Sequence, residues 1–136
     1  MKSFLIQELV SPDIHAARGD RAWELLDSRA LDTLQTLRDA LGPCTVNNWH
    51  SGGTFKESGL RAFGTATGAG YSQHKYGRAF DCKFKSLTPP DVLAYVQANR
   101  GKFPHLTVVE NTNATPTWFH FDVRFTGKPE IWIVNP

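Results

Sequence analysis

Cysteine is scarce: Cys44 and Cys82 are the only two in 136 residues. That excludes a disulfide framework, and the lack of any Cys-x-x-Cys spacing excludes a thiolate zinc pair. Both thiols read as small buried side chains. An excess of charge of one sign is missing too. Fifteen Lys and Arg are nearly balanced by thirteen Asp and Glu. The cations are scattered along the chain, which argues against nucleic acid as a partner. No apolar run approaches membrane-spanning length, so no membrane partner is expected. The segment Lys2-Ser3-Phe4-Leu5-Ile6-Gln7-Glu8 meets an acid where a signal peptide would continue its apolar stretch. The expectation is synthesis in the cytoplasm without a signal peptide, any export using another route. Internal repeats and low-complexity linkers are absent as well.

What is present is the material of a core. Hydrophobic residues make up 40% of the chain, with nine Phe and four Trp. The length suits one domain over residues 1–136 that needs no covalent staple. Leu31, Leu34, Leu37 and Leu41 recur at helical spacing, predicting a helix from Ser28 to Leu41 stopped by Gly42-Pro43. A second helix opens at Thr88-Pro89-Pro90-Asp91, with Thr88 as cap and Asp91 favouring the positive end of the dipole. Val92, Tyr95 and Val96 give it an apolar face, and Gly101 is its expected end. The stretch from Leu9 to Leu26, interrupted by Pro12 and Gly19, reads as irregular with a short helical turn at best.

Strands are expected at Thr45 to Trp49, Ala79 to Phe84, Leu106 to Glu110, Thr117 to Phe125 and Glu130 to Val134. The turn-rich segment Asn111 to Pro116 joins two of them as antiparallel neighbours. Helices and strands mix without βαβ regularity, so the fold class is α+β, a small antiparallel sheet with flanking helices.

The chemistry concentrates in Ser72-Gln73-His74-Lys75-Tyr76-Gly77-Arg78-Ala79-Phe80-Asp81 and in Trp118-Phe119-His120. Two His and one Asp form the kind of ligand set that a catalytic zinc ion takes, with a fourth position left for water. Strand alternation tests whether they converge. Phe119, Phe121, Val123 and Phe125 share one face, and Trp118, His120, Asp122 and Arg124 the other. Ala79, Asp81 and Lys83 likewise oppose Phe80, Cys82 and Phe84. Asp81 and His120 therefore lie away from the core-like sides, and Gly77 lets the chain turn so that His74 meets Asp81. His15, His50 and His105 have no such company and read as ordinary surface or loop histidines.

Ser72-x-His74-x-x-Gly77-x-Ala79-x-Asp81, followed by Trp118-x-His120, resembles the motif of the zinc D-Ala-D-Ala carboxypeptidase and L-alanyl-D-glutamate endopeptidase family. That family shares its fold with the hedgehog signalling domain and includes many phage endolysins. Ser58-Gly59-Leu60-Arg61 resembles the family's Ser-Gly-x-Arg segment. Glu8-Leu9-Val10 and Asn47-Asn48-Trp49 resemble small phage-encoded members. The resemblance implies a hedgehog-like fold, zinc held by His74, Asp81 and His120, and Arg61 holding a substrate carboxylate or carbonyl.

Peptide hydrolysis also needs a base for the water proton. Many members of the family carry an acid three positions before the last His, where this chain has Thr117. Two carboxylates remain. Glu110 ends the preceding strand and needs a register that sets it opposite an even-numbered residue of the ligand strand. Asp122 lies beyond His120 on the same face, where it could act as base, bond a ligand or pair with Arg124. Glu110 is preferred and Asp122 stays open.

Two functions compete at this level. One is a zinc peptidase acting on peptidoglycan stem peptides, as a carboxypeptidase or as an endopeptidase of the endolysin type. It would reach the cell wall by phage-type release or inside a virion. The other is a virion or tail binding module that keeps the zinc site without turnover.

Overall fold

The computed structural model describes residues 2–136, an α+β fold around a five-stranded mixed sheet. The first helix, α1, spans Pro12–Arg18 and is followed directly by a 3-10 helix at Gly19–Leu25. This corrects the expectation of irregular chain between Leu9 and Leu26. Pro12 and Gly19 are helix punctuation, not breakers. Pro12 sits at the first helical position, where its missing N–H costs nothing, and Gly19 follows the last with φ 55°.

The long helix α2 runs over Ser28–Leu41, as its leucine spacing predicts. Ala30, Thr33, Leu34 and Leu37 are its buried positions, so the apolar stripe is turned slightly from the all-leucine line. Asp27 caps it, accepting from the Arg29 amide at 2.9 Å and from the Arg29 guanidinium at 3.0 and 2.7 Å. The same residue's backbone N–H donates to the Gly77 carbonyl, which ties the start of α2 to the histidine-bearing loop.

Helix α3 occupies Pro89–Ala98. The Asp91 carboxylate accepts from the Thr88 amide at 3.2 Å and the Thr88 hydroxyl at 2.8 Å, half of a capping box. The helix ends before the expected Gly101. The Asn99 amide turns to the Tyr95 and Val96 carbonyls, and a 3-10 turn follows at Arg100–Lys102. Val92 and Val96 are fully buried.

The strands are β1 (Cys44–Thr45), β2 (Ala79–Phe84), β3 (Val108–Glu110), β4 (Phe119–Asp122) and β5 (Trp132–Val134), in the order β1-β2-β4-β3-β5. Antiparallel pairing joins β1 to β2, β2 to β4 and β4 to β3. The edge strand β5 runs parallel to β3, so the sheet is mixed and not wholly antiparallel as the sequence reading had it. A chain returning over residues 123–131 brings β5 in alongside β3 in the same direction. β1 is shorter than Thr45 to Trp49 because the chain turns off the sheet. The Asn47 amide donates to the Glu8 carbonyl, and those of Asn48 and Trp49 to the Phe55 carbonyl.

One face of β2 and β4 carries Phe80, Cys82, Phe119 and Phe121 into the core against Leu34, Leu37, Val92 and Val96. Val123 joins this core, but Phe125 does not and is 93% exposed. β4 ends at Asp122, and alternation has no force once pairing stops. Cys82 is buried and Cys44 partly so, and both thiols are free. No helix among the described residues is long and apolar enough to cross a membrane.

The Arg29 hydrogen bonds hold the Asp27 carboxyl below the usual carboxylate range, against the opposing effect of partial burial. A depressed native pKa contributes stability above the unfolded-state value, and that contribution disappears as pH falls through the native one. Asp27→Ala is expected to cost about 1 kcal/mol at neutral pH. Urea unfolding across pH checks this: the gap from the parent should narrow in acid.

Candidate metal centre

The pairing of β2 with β4 sets Asp81 opposite His120. Three residues before Ala79 opens β2, a 3-10 turn at Gln73–Tyr76 carries His74. Ser72 caps that turn, its hydroxyl accepting from the His74 amide at 3.3 Å. Gly77 ends it at φ 69°, and a Cβ there would collide with the Leu25 carbonyl. Only glycine fits that corner. The spacing of the motif is thus the spacing of a cap, a one-turn helix, a left-handed exit and a strand.

His74, Asp81 and His120 are all buried, and a ligand atom from each lies within 4.8 Å of the other two. His74 Nε2 is 3.3 Å from Asp81 Oδ1, and His120 Nδ1 is 2.9 Å from the same oxygen. The imidazoles meet edge to face with centroids 5.1 Å apart. Donors bound tetrahedrally at ~2.0–2.2 Å lie roughly 3.3–3.6 Å from one another, so a cation fits after small outward shifts.

The outer ring nitrogens decide the matter. His74 Nδ1 lies 3.0 Å from the Gly59 carbonyl oxygen, which can only accept, so that nitrogen carries a proton. His120 Nε2 lies 2.9 Å from Asp122 Oδ2, with the same consequence. In the neutral rings the inward nitrogens are then lone pairs, pointed with a carboxylate at one space. In the metal-free chain His120 Nδ1 donates a proton to Asp81 Oδ1; displacing that proton leaves two lone pairs and a carboxylate that can hold a metal ion. The donor set fits a metal ion.

Asp122 is fully buried and clamped from behind. Arg124 Nε donates to its Oδ1 at 2.8 Å and Arg124 Nη2 to its Oδ2 at 2.6 Å. Burial opposes charge on Asp122, but its hydrogen bonds to His120 and Arg124 hold the carboxyl below its usual range. Burial likewise disfavours a charged His120. Its hydrogen bonds to Asp122 and Asp81, with Glu110 nearby, override this and push its pKa up to about 10 in the metal-free chain. Asp81 is held low against burial by the two histidines.

The two candidate bases fall on opposite sides of His120. Asp122 grips the outward nitrogen and does not line the cavity at the three ligands. Glu110 does line it, with Oε1 3.7 Å from the inward His120 Nδ1. The β3–β4 register pairs Val108 with Asp122 and Val109 with Phe121. Continued by one residue it sets Glu110 across from His120, an even-numbered residue as required. Thr117 is exposed and takes no part.

Arg61 reaches the centre from the other wall. Its Nε donates to the Glu57 carbonyl at 2.6 Å, and Nη2 stands 3.5 Å from Asp81 Oδ2. The Ser58-Gly59-x-Arg61 segment is explained residue by residue. The Ser58 carbonyl accepts from the Asp81 amide, and its hydroxyl from Lys83 Nζ at 2.8 Å. A Cβ at Gly59 would strike the Leu9 carbonyl. The Arg61 amide donates to the His74 carbonyl at 3.2 Å.

A cavity of about 390 Å³ opens over the three ligands, walled by Arg61, Glu110, Trp118 and Arg124 and closed on one side by Val134, Asn135 and Pro136. A second cavity shares Arg61, Asp81 and Trp118 with the first and reaches Phe55 and Lys83. Sequence reasoning missed the Gly59 carbonyl and the carboxy-terminal wall, because neither carries a side-chain signature. Tyr71 is 86% exposed, and His50 and His105 lie on the surface. His15 is half-buried beside Trp49, with ring centroids 5.8 Å apart.

Compared with protein-family models, curated proteins and solved structures, the chain has no match.

The centre is expected to take one divalent transition ion per chain, read by native mass spectrometry. His74→Ala, Asp81→Ala and His120→Ala should each abolish stoichiometric binding. Asp122→Asn keeps the three ligands but loosens the His120 ring, so competition with a chromophoric chelator should show affinity weakened ~10–100-fold.

Proposed function

We propose that the chain is a zinc peptidase that cleaves an amide bond in peptidoglycan stem peptides, of the carboxypeptidase and endopeptidase family its motif resembles. The observation that carries this reading is the two-sided arrangement around His120. An acid bonds the outward nitrogen, a second acid stands beside the inward one, and an arginine lies across the ligands. A purely structural metal site would have no use for a free carboxylate on the inner side. Two imidazoles and one carboxylate are a donor set suited to zinc with a position left open.

Bound zinc supplies Lewis acidity, lowering the pKa of water and polarising a carbonyl. The chain's own residues do the rest. Glu110 accepts the proton of the attacking water at its carboxylate and returns it to the departing amine. Arg61, its guanidinium beside Asp81, offsets negative charge developing on the carbonyl oxygen. Asp122 and the Gly59 carbonyl keep the imidazoles turned inward. Trp118, which lines both cavities, provides an apolar wall for a peptide lying across the ligands. The hedgehog-like fold belongs to the same proposal, as does action on the cell wall after phage-type release or from a virion.

The test is mass spectrometry of purified peptidoglycan after incubation with zinc-loaded protein. Shortened stem peptides or released D-alanine are expected. Glu110→Gln should lower turnover ~10²–10⁴-fold while leaving one metal ion bound. Intact peptidoglycan from several cross-link types, with zinc bound, would overturn the enzyme and leave the virion or tail binding module in its place.

A further inference from the structure

The turn that carries His74 into the metal centre carries the next residue elsewhere. Lys75 is only 7% exposed, and among the described residues its ammonium has no hydrogen bond and no ion pair. It lines a separate cavity of about 380 Å³ between α1, the 3-10 helix Gly19–Leu25 and the loop after Leu60. The walls are chiefly apolar, including Ile14, Leu25, Leu60 and Phe63. The polar additions are cationic. Arg18 stands at the exposed side, and no acidic residue lines the space. Arg61 also borders it, but its guanidinium is engaged by Glu57 and Asp81.

The Lys75 ammonium is not sealed from solvent; it meets the cavity with no counter-charge facing it, and Arg18 adds a second cation there. Elsewhere this chain neutralises its buried charges: Asp122 has Arg124, and Asp81 has two histidines and Arg61. The exception faces a concave apolar space at the small end of the range for ligand sites. We propose that this cavity binds a small carboxylate with an apolar body, the anion meeting Lys75 and Arg18 and the hydrocarbon lying against Leu25, Leu60 and Phe63. This site is distinct from the metal centre and does not depend on the peptidase reading.

The test uses the full chain in two-dimensional NMR titrations with hexanoate, hexanol and hexylammonium, with and without one equivalent of zinc. Hexanoate should shift the Leu25, Leu60 and Tyr76 signals saturably in both states. Its affinity should exceed that of the neutral and cationic analogues roughly tenfold, the worth of one charge-assisted hydrogen bond. Lys75→Met, which keeps the stem and removes the charge, should erase that preference. Arg18→Gln, an exposed change that leaves the fold intact, should weaken hexanoate binding several-fold. Ala62→Phe should fill the cavity and block all three. Equal binding of hexanoate and hexanol, shifts confined to His74 and His120, or unchanged affinity in both charge variants would overturn the proposal.

Discussion

One strand pairing holds the centre together: β2 against β4 in the register that faces Asp81 with His120. A slip by one residue would turn Asp81 or His120 toward the phenylalanine side and scatter the ligands. The register is fixed by the opposite faces of the same strands. Phe80, Cys82, Phe119 and Phe121 must all reach the core beneath α2 and α3, and only one alignment buries them together. The metal centre is thus specified indirectly, by hydrophobic burial on the far side of the sheet.

Around that pairing the chain solves a problem of buried charge. Asp81, Asp122 and both histidines lie within the protein, where an isolated charge would be costly. Each is answered locally. Arg124 faces Asp122, Arg61 faces Asp81, and the Gly59 carbonyl takes the outer proton of His74. The result is a polar cluster that is rigid on its outer side and electron-rich on its inner side. That asymmetry is compatible with a metal ion at the three inner groups. It also places the two acids near His120 differently: Asp122 bonds the outward nitrogen and Arg124, and Glu110 lines the cavity.

Much of this was legible in the residue order. α2 follows from leucine spacing and a Gly-Pro stop, α3 from a proline-led cap, and the ligand trio from strand alternation with a glycine turn. Legibility failed where a residue's meaning depends on what lies across from it. Pro12 and Gly19 looked like breakers because a break and a helix boundary use the same residues. Phe125 looked like core because alternation does not announce where pairing ends. The direction of β5 was hidden because a parallel and an antiparallel neighbour draw on the same short apolar strand. Asp122 and Glu110 could not be separated by position, since both lie near His120 along or across a strand.

The sequence by itself determined the kinds of groups available. Asp81 and His120 sit on faces opposed to phenylalanine, and His74 sits in the turn before them, with glycine where the backbone must turn left-handed or pass close to a carbonyl. These are local properties, set by sterics and side-chain period. Tertiary structure alone decided which nitrogen of each imidazole points inward, because that depends on acceptors brought from elsewhere: the Gly59 carbonyl for His74 and the Arg124-clamped Asp122 for His120. It also decided that Lys75, adjacent in sequence to a metal-facing histidine, borders a different cavity. Orientation and neighbourhood are relations between distant segments, and only the packed chain fixes them.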